Sequence, residues 1–249
     1  ISSPLINVVN FTGGTAAANS IARAAGYKKL LLELGGNDPL IVMADADIDS
    51  AVNAAINQRF ATAGQRCTAA KRLFLHDDIY KQFRDTLIAK TKQLVVGDPL
   101  QEETFIGPVI NEKAANEIKL SIEQAVSVGA TVALGNKQEG NVIYPTILEN
   151  VNSDCELMVE EIFGPVIPLM SFSDIEQIIP IINNSAYGLQ GGIFTQQLGL
   201  IKYLFDELDI GTLAVNDGPG FRAEHFPFGG VKSSGVGREG TKYAIREMS

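Results

Sequence analysis

A cysteine in a glycine-rich turn and a glutamate closing an apolar strand are the residues of this sequence best suited to covalent chemistry. Cys67 stands in Gly64-Gln65-Arg66-Cys67-Thr68-Ala69-Ala70. Cysteine attacks carbon as its thiolate, and a neighbouring cation or a helix N-terminus lowers the thiol pKa. Arg66 supplies a cation next in sequence, although its side chain is free to turn elsewhere. The competing reading of a lone cysteine is a buried structural thiol. Glu33 follows Leu30-Leu31-Leu32 and precedes Leu34-Gly35-Gly36. A carboxylate at the carboxyl end of a strand faces the crevice where α/β sheets take ligands. Partial desolvation there raises its pKa toward the range of a water-activating base. The competing reading is a solvated glutamate on an edge strand.

Other activating groups are scarce. The chain has two histidines, His76 and His225. His76 stands beside Asp77 and Asp78, where a helix cap or a solvent-facing side chain is expected. His225 lies in the loop before Phe228, which keeps a Cys–His pair open as a minor reading. No Cys/His cluster has metal-ligand spacing, so no metal site is expected. The only other cysteine is Cys155, and two cysteines make no disulfide framework.

The elements that must position these residues alternate between strand and helix. Strands are expected at Leu5–Phe11, Lys29–Leu34, Pro39–Met43, Arg72–Leu75, Ala130–Leu134, Val142–Leu148, Val166–Phe172, Gly192–Thr195 and Thr212–Val215. Helices are expected at Thr15–Ala25, Asp47–Phe60, Asp78–Val95, Glu112–Ser127, Ile175–Asn183 and Gln197–Leu208. That order predicts an α/β fold with a largely parallel sheet. The glycine-dense stretch Phe228–Gly240 reads as a structured loop in which Phe228, Val231 and Val236 have something to bury.

Composition narrows the function classes. The 249 residues are 45% hydrophobic and 20% charged, with a net charge of −9. Such an acidic chain disfavours nucleic acid and anionic membrane surfaces as partners. There is no transmembrane-length apolar run and no signal-peptide pattern, and cysteine usage suggests a reducing, cytoplasmic setting. The first residue, Ile1, is not an initiator methionine, which suggests a start within a longer protein.

Several segments together resemble the aldehyde dehydrogenase superfamily. Leu32-Glu33-Leu34-Gly35-Gly36-Asn37-Asp38-Pro39 is similar to its glutamate signature, and Gly64-Gln65-Arg66-Cys67 to its cysteine signature, 34 residues on. Glu160-Glu161-Ile162-Phe163-Gly164-Pro165-Val166 resembles the cofactor-contacting motif. Phe226-Pro227-Phe228-Gly229-Gly230-Val231-Lys232, with Ser234-Gly235 and Gly237-Arg238-Glu239, resembles the carboxy-terminal signature. Phe11-Thr12-Gly13-Gly14 resembles the phosphate-side turn. The motifs occur in family order across nearly the whole chain.

The resemblance implies NAD- or NADP-dependent oxidation of an aldehyde to the acid. Cys67 would form a thiohemiacetal and then a thioester, and Glu33 would activate the hydrolytic water. A glutamate here favours hydrolysis over transfer to coenzyme A. The oxyanion would take the Cys67 backbone N–H, its second donor being an upstream asparagine. Thr12, Gly13 and Gly14 would lie near the pyrophosphate, although the family more often has Ser where Gly14 stands. Leu34 and Gly35 belong to the same cofactor set, Glu161 would bond the nicotinamide ribose, and Phe163 would pack beside it.

For the substrate the resemblance implies Arg66, Thr68, Arg222 and Phe228. Two guanidiniums near the aldehyde tail would suit a small anionic substrate of the lactaldehyde, glyceraldehyde 3-phosphate, phosphonoacetaldehyde or succinate semialdehyde type. The competing reading pairs Arg222 with Glu224. Residues 1–35 are expected to close a cofactor-binding domain, 36–232 to form the catalytic domain, and 233–249 to return to the cofactor side. A full-length parent would be a homodimer or homotetramer, with this chain alone binding cofactor weakly. The rival class is a non-catalytic structural or binding protein, or an inactive truncated fragment.

Overall fold

The computed structural model describes residues 1–249. In chain order its elements are β1 (Val8–Thr12), α1 (Thr15–Ala25), β2 (Lys29–Glu33), β3 (Pro39–Val42), α2 (Ile48–Phe60), β4 (Arg72–His76), α3 (Asp77–Thr91) and α4 (Glu112–Ser127). There follow β5 (Thr131–Leu134), β6 (Gln138–Glu139), β7 (Val142–Ile143), β8 (Thr146–Glu149), α5 (Glu156–Val159), β9 (Val166–Phe172) and α6 (Ile179–Asn183). The chain ends with β10 (Tyr187–Gly188), β11 (Gln190–Phe194), α7 (Leu198–Glu207), β12 (Thr212–Val215), β13 (Val231–Lys232), β14 (Gly235–Val236) and α8 (Thr241–Met248).

A seven-stranded sheet carries the fold, in the order β12-β11-β3-β4-β9-β8-β5. Every neighbouring pair is parallel except the edge pair β5–β8. The central strands carry continuous apolar runs buried on both faces, as Pro39–Val42 and Leu73–Leu75 show; helices on both sides of a parallel sheet demand that pattern. A single cluster of 42 buried apolar residues joins this sheet to its helices. Residues at the two ends of the chain build a separate three-stranded sheet, β1-β2-β14, with β1 parallel and β14 antiparallel to β2.

Several boundaries depart from the sequence reading. The strand expected at Val142–Leu148 breaks into β7 and β8 around Tyr144-Pro145, where proline lacks a ladder donor. The helix expected at Ile175–Asn183 divides into a 3₁₀ turn, Ile175–Gln177, and α6, with Pro180 in the first turn of α6. Proline is tolerated there and not in a helix interior. α3 stops at Thr91, and Val95 and Val96 run on as extended chain bonded to Phe105 and Ile106. α5 and α8 had no counterpart in the sequence reading. In the Phe228–Gly240 loop Phe228 is buried, but Val236 is exposed, so only part of that expected burial is realised. No helix is long and apolar enough to cross a membrane.

Candidate active site

Cys67 sits on a turn that α2 cannot continue into. Thr62, Ala63 and Gly64 all take positive φ, at 53°, 52° and 73°. Such a left-handed run reverses the chain immediately after the helix. A Cβ on Gly64 would collide with the Gly164 carbonyl, so glycine permits a close approach to the 160–166 segment. The Gln65 side chain pins the turn: its amide donates to Thr62 O at 3.1 Å, and its carbonyl accepts from Ile110 N at 2.8 Å. Fully buried Arg59, near the end of α2, donates to Val166 O at 2.6 Å and Ile162 O at 3.1 Å. Helix, cysteine turn and 160–166 segment are thereby held as one block.

Glu33 is the last residue of β2, the middle strand of the small sheet, and is only 7% exposed. The edge-strand reading is therefore corrected: β1 and β14 flank it on both sides. Burial, reinforced by the Glu239 charge, pushes its pKa up to about 8, against the opposing pull of Arg238 and Arg222. At neutral pH this carboxyl holds its proton, and it ionises in mildly basic solution.

Cys67 and Glu33 face one cleft of about 640 Å³, together with Thr12, Gly13, Gly14, Leu34, Gly35, Gln65, Arg66, Thr68, Glu161 and Phe163. Every sequence-predicted residue except Arg222 and Phe228 lines it. Gly14 caps α1 without a side-chain hydrogen bond, and the first turn holds no acidic residue. The backbone donors at the start of α1 are thus left for an anion. A Cβ at Gly14 would meet nothing within 4 Å, so there is room at that end. Phe163 leaves 42% of its surface exposed beside it, a face for a planar ring. These features fit a dinucleotide's phosphates and nicotinamide end.

The charges around Cys67 differ from the expected ones. Arg66 turns its guanidinium back to Asn57 O at 3.0 Å and Gln58 O at 3.2 Å, at the end of α2. The cation near the sulfur is instead Lys71, opposed by Asp38 and Glu161, and burial outweighs it, so the thiol pKa is raised. Glu161 accepts from Gly36 N at 2.8 Å and pairs with Lys71 at 3.1 Å. Asp38 is wholly buried, and burial raises its carboxyl to about 7. Lys71 and Arg59 escaped the sequence reading, and Asp38 entered it only as part of the glutamate signature, with no role of its own. For Lys71 the one signal available was its place four residues after Cys67.

Arg222 and Phe228 line a different cavity, of about 220 Å³, with Phe221 and Phe226. The Arg222 guanidinium stacks 4.5 Å from the Phe228 ring centroid and pairs with Glu239 at 2.9 Å, not with Glu224. The two arginines therefore do not share one cavity. His76 accepts from Asp78 N at 3.2 Å as the cap of α3, the bland role expected of it. His225 is exposed and packs against Phe226, at 4.4 Å between centroids. No group of three or more His, Cys, Asp or Glu side chains is placed to share a metal.

Comparison with known proteins settles the family. The sequence pattern described as "Aldehyde dehydrogenase family" matches residues 1–249. The chain belongs to the aldehyde dehydrogenase family. This aldehyde dehydrogenase chain is 68% identical over 246 residues to sulfoacetaldehyde dehydrogenase of Neptuniibacter caesariensis, covering 99% of the chain and 54% of that protein. It is 41% identical to 3-sulfolactaldehyde dehydrogenase of Priestia megaterium, covering 98% of the chain and 51% of the relative. Among solved structures it superposes on glyceraldehyde-3-phosphate dehydrogenase GapN of Methanocaldococcus jannaschii, complexed with NADP, with a TM-score of 0.94 and 41% identity. That match covers 97% of the chain and 53% of the other. The chain thus spans about half the length of the curated relatives it matches.

Proposed function

We propose that the whole protein oxidises a small anionic aldehyde, of the sulfonated two-carbon type, to its carboxylic acid with NAD or NADP. The convergence of Cys67, Glu33 and the open N-terminus of α1 on one cleft carries the reaction class. The 68% identical relative named for sulfoacetaldehyde supports the substrate. A bound nicotinamide dinucleotide would supply the hydride acceptor. Thr12, Gly13 and Gly14 would hold its phosphates, with Leu34, Gly35, Glu161 and Phe163 at the nicotinamide end.

The chain's own residues do the remaining work. Cys67 gives its proton to water, and its thiolate attacks the aldehyde carbon, forming a thiohemiacetal oxyanion that accepts a hydrogen bond from the Cys67 backbone N–H. Oxidation leaves an acyl thioester on Cys67. Glu33, once ionised, takes a proton from water, the resulting hydroxide attacks the thioester, and acid and free sulfur separate. Thr68 borders the aldehyde. Arg222, whose charge reaches Glu33 from the neighbouring cavity, would draw the anionic tail toward that side of the cleft, and Arg66, tied to α2, shapes the turn beside the substrate. The small sheet, built from residues 1–35 and 233–249, would be the cofactor side, and residues 36–232 the catalytic domain. The parent would act as a homodimer or homotetramer. The non-catalytic alternative is disfavoured because Cys67 and Glu33 both line the cleft.

An aldehyde panel with NAD and NADP on the whole protein tests this reading. Sulfoacetaldehyde should be the preferred substrate and propanal a poor one; equal kcat/KM for the two would overturn the substrate assignment.

A further inference from the structure

Lys71 is the one lysine among the buried residues, with its side chain 1% exposed. A buried ammonium is costly unless every donor is used. Its three N–H groups have three acceptors: Cys67 O at 2.6 Å, Arg66 O at 3.0 Å and the Glu161 carboxylate at 3.1 Å. Two of these are consecutive main-chain carbonyls on either side of the Cys67 α-carbon. A trans peptide is planar, with C=O and N–H pointing in opposite directions. Holding the Arg66 carbonyl therefore fixes the direction of the Cys67 N–H, and holding the Cys67 carbonyl fixes that of the Thr68 N–H.

We propose that Lys71 is the positioning residue of the Cys67 turn, fixing both peptide planes around the cysteine while Glu161 holds its ammonium in place. The proposal rests on the reading of Cys67 as the nucleophile. It assigns the aim of the Cys67 N–H to a side chain rather than to the turn alone. The turn does not fix these planes by itself, since the only main-chain bond to either carbonyl is Ala69 N to Arg66 O at 3.2 Å. The charged groups facing the thiol are Lys71, which favours its ionisation, and Asp38 and Glu161, which oppose it. Arg59 adds a further positive charge near Lys71, opposing its ionisation.

Three variants of the intact protein test it: Lys71→Met, which removes charge and donors at similar volume, Lys71→Arg, which keeps both, and Glu161→Gln. Two readouts are followed: steady-state kinetics, and cofactor-free alkylation of Cys67 by iodoacetamide across pH, measured by mass spectrometry. Lys71→Met should lose about 100-fold in kcat, the scale of one misdirected oxyanion donor, with little change in KM. Lys71→Arg should recover most of it. The alkylation midpoint should rise by about one pH unit in Lys71→Met and fall in Glu161→Gln, since the first removes a cation and the second its counter-charge. A purely structural role would lower thermal stability without moving the two midpoints in opposite directions. Unchanged kcat in Lys71→Met, or midpoints that move together, would overturn the proposal. Failure of the nucleophile reading is seen separately, as a Cys67→Ala enzyme that still oxidises aldehydes. The alkylation profiles decide the environment of the turn in either event.

Discussion

The two sheets of this molecule are built to different standards. The seven-stranded sheet lies in a core of 42 buried apolar residues, and its strands β3 and β4 have no exposed position. The three-stranded sheet has a core of three: Ala18, Leu32 and Leu34. Yet the thinner sheet presents Glu33 and the open end of α1, while the thick one supports Cys67 through α2 and β4. The cleft is thus shared between a heavily packed half that carries Cys67 and a lightly packed half that carries Glu33 and the Thr12-Gly13-Gly14 turn. Ligand sites recur at such junctions between packed units.

The comparison breaks first at the cysteines. Replacing Cys67 by Ala should abolish aldehyde oxidation, by at least about 1000-fold, because no other group in the cleft can form the acyl intermediate. Replacing Cys155, buried at the start of α5, should leave kcat near that of the parent. Assay of both variants on one substrate separates site from scaffold.

Glu33→Gln tests the lighter half. Hydrolysis should fall by about 100- to 10,000-fold, and the parent's rise in hydrolysis with pH, levelling off above about 8, should vanish. The same carboxyl has a stability consequence. Between its ordinary value near 4.5 and about 8 the unfolded chain has lost the proton and the folded chain keeps it. Stability conferred by the protonated form is therefore lost as pH rises through that window. Glu33→Gln should consequently gain thermal stability over the parent as pH goes from 5 toward 8. A stability difference independent of pH would show that Glu33 is not buried in its neutral form.

Packing itself is sharpened by a matched pair of truncations. Phe74→Ala, in the middle of the large sheet, should cost about 3–5 kcal/mol of unfolding free energy, measured by denaturant titration. Leu32→Ala in the small sheet should cost less, because fewer neighbours surround the cavity left behind. Equal losses would contradict the division between the halves. The smallest effect is expected at Arg222. Its replacement by Ala should raise KM for an anionic aldehyde by about 10- to 100-fold and leave propanal nearly unchanged. Equal changes for both would make the pair with Glu239 a structural tie only.

Much of the fold was legible in the sequence, and the exceptions are instructive. α1, α4, β9 and β12 run between the residues that periodicity and caps marked. Asn111 caps α4 by accepting from Ala114 N at 2.8 Å. The misses cluster where proline interrupts, at Pro145 and Pro180, and where a β-bridge with Ile106 outcompetes the end of α3. Helical spacing persists through such places, so periodicity cannot detect a competing long-range partner. The site was legible as a set of residue types. Their electrostatics were not: Arg66 faces α2, and the pairing guessed for Arg222 went to Glu239 instead.

By itself the sequence determined the order of strands and helices, the motif spacing that places a thiol 34 residues after a carboxylate, and the family. Those depend on local pattern, which one chain carries in full. Only the tertiary structure decided that Glu33 lies in a middle strand with a pKa near 8, that Lys71 rather than Arg66 is the cation of the Cys67 turn, and that Arg222 stands in a separate cavity. Each of these is a matter of burial and of distance between residues remote in sequence. Coulomb attraction and desolvation act through space, so residue order alone does not record them.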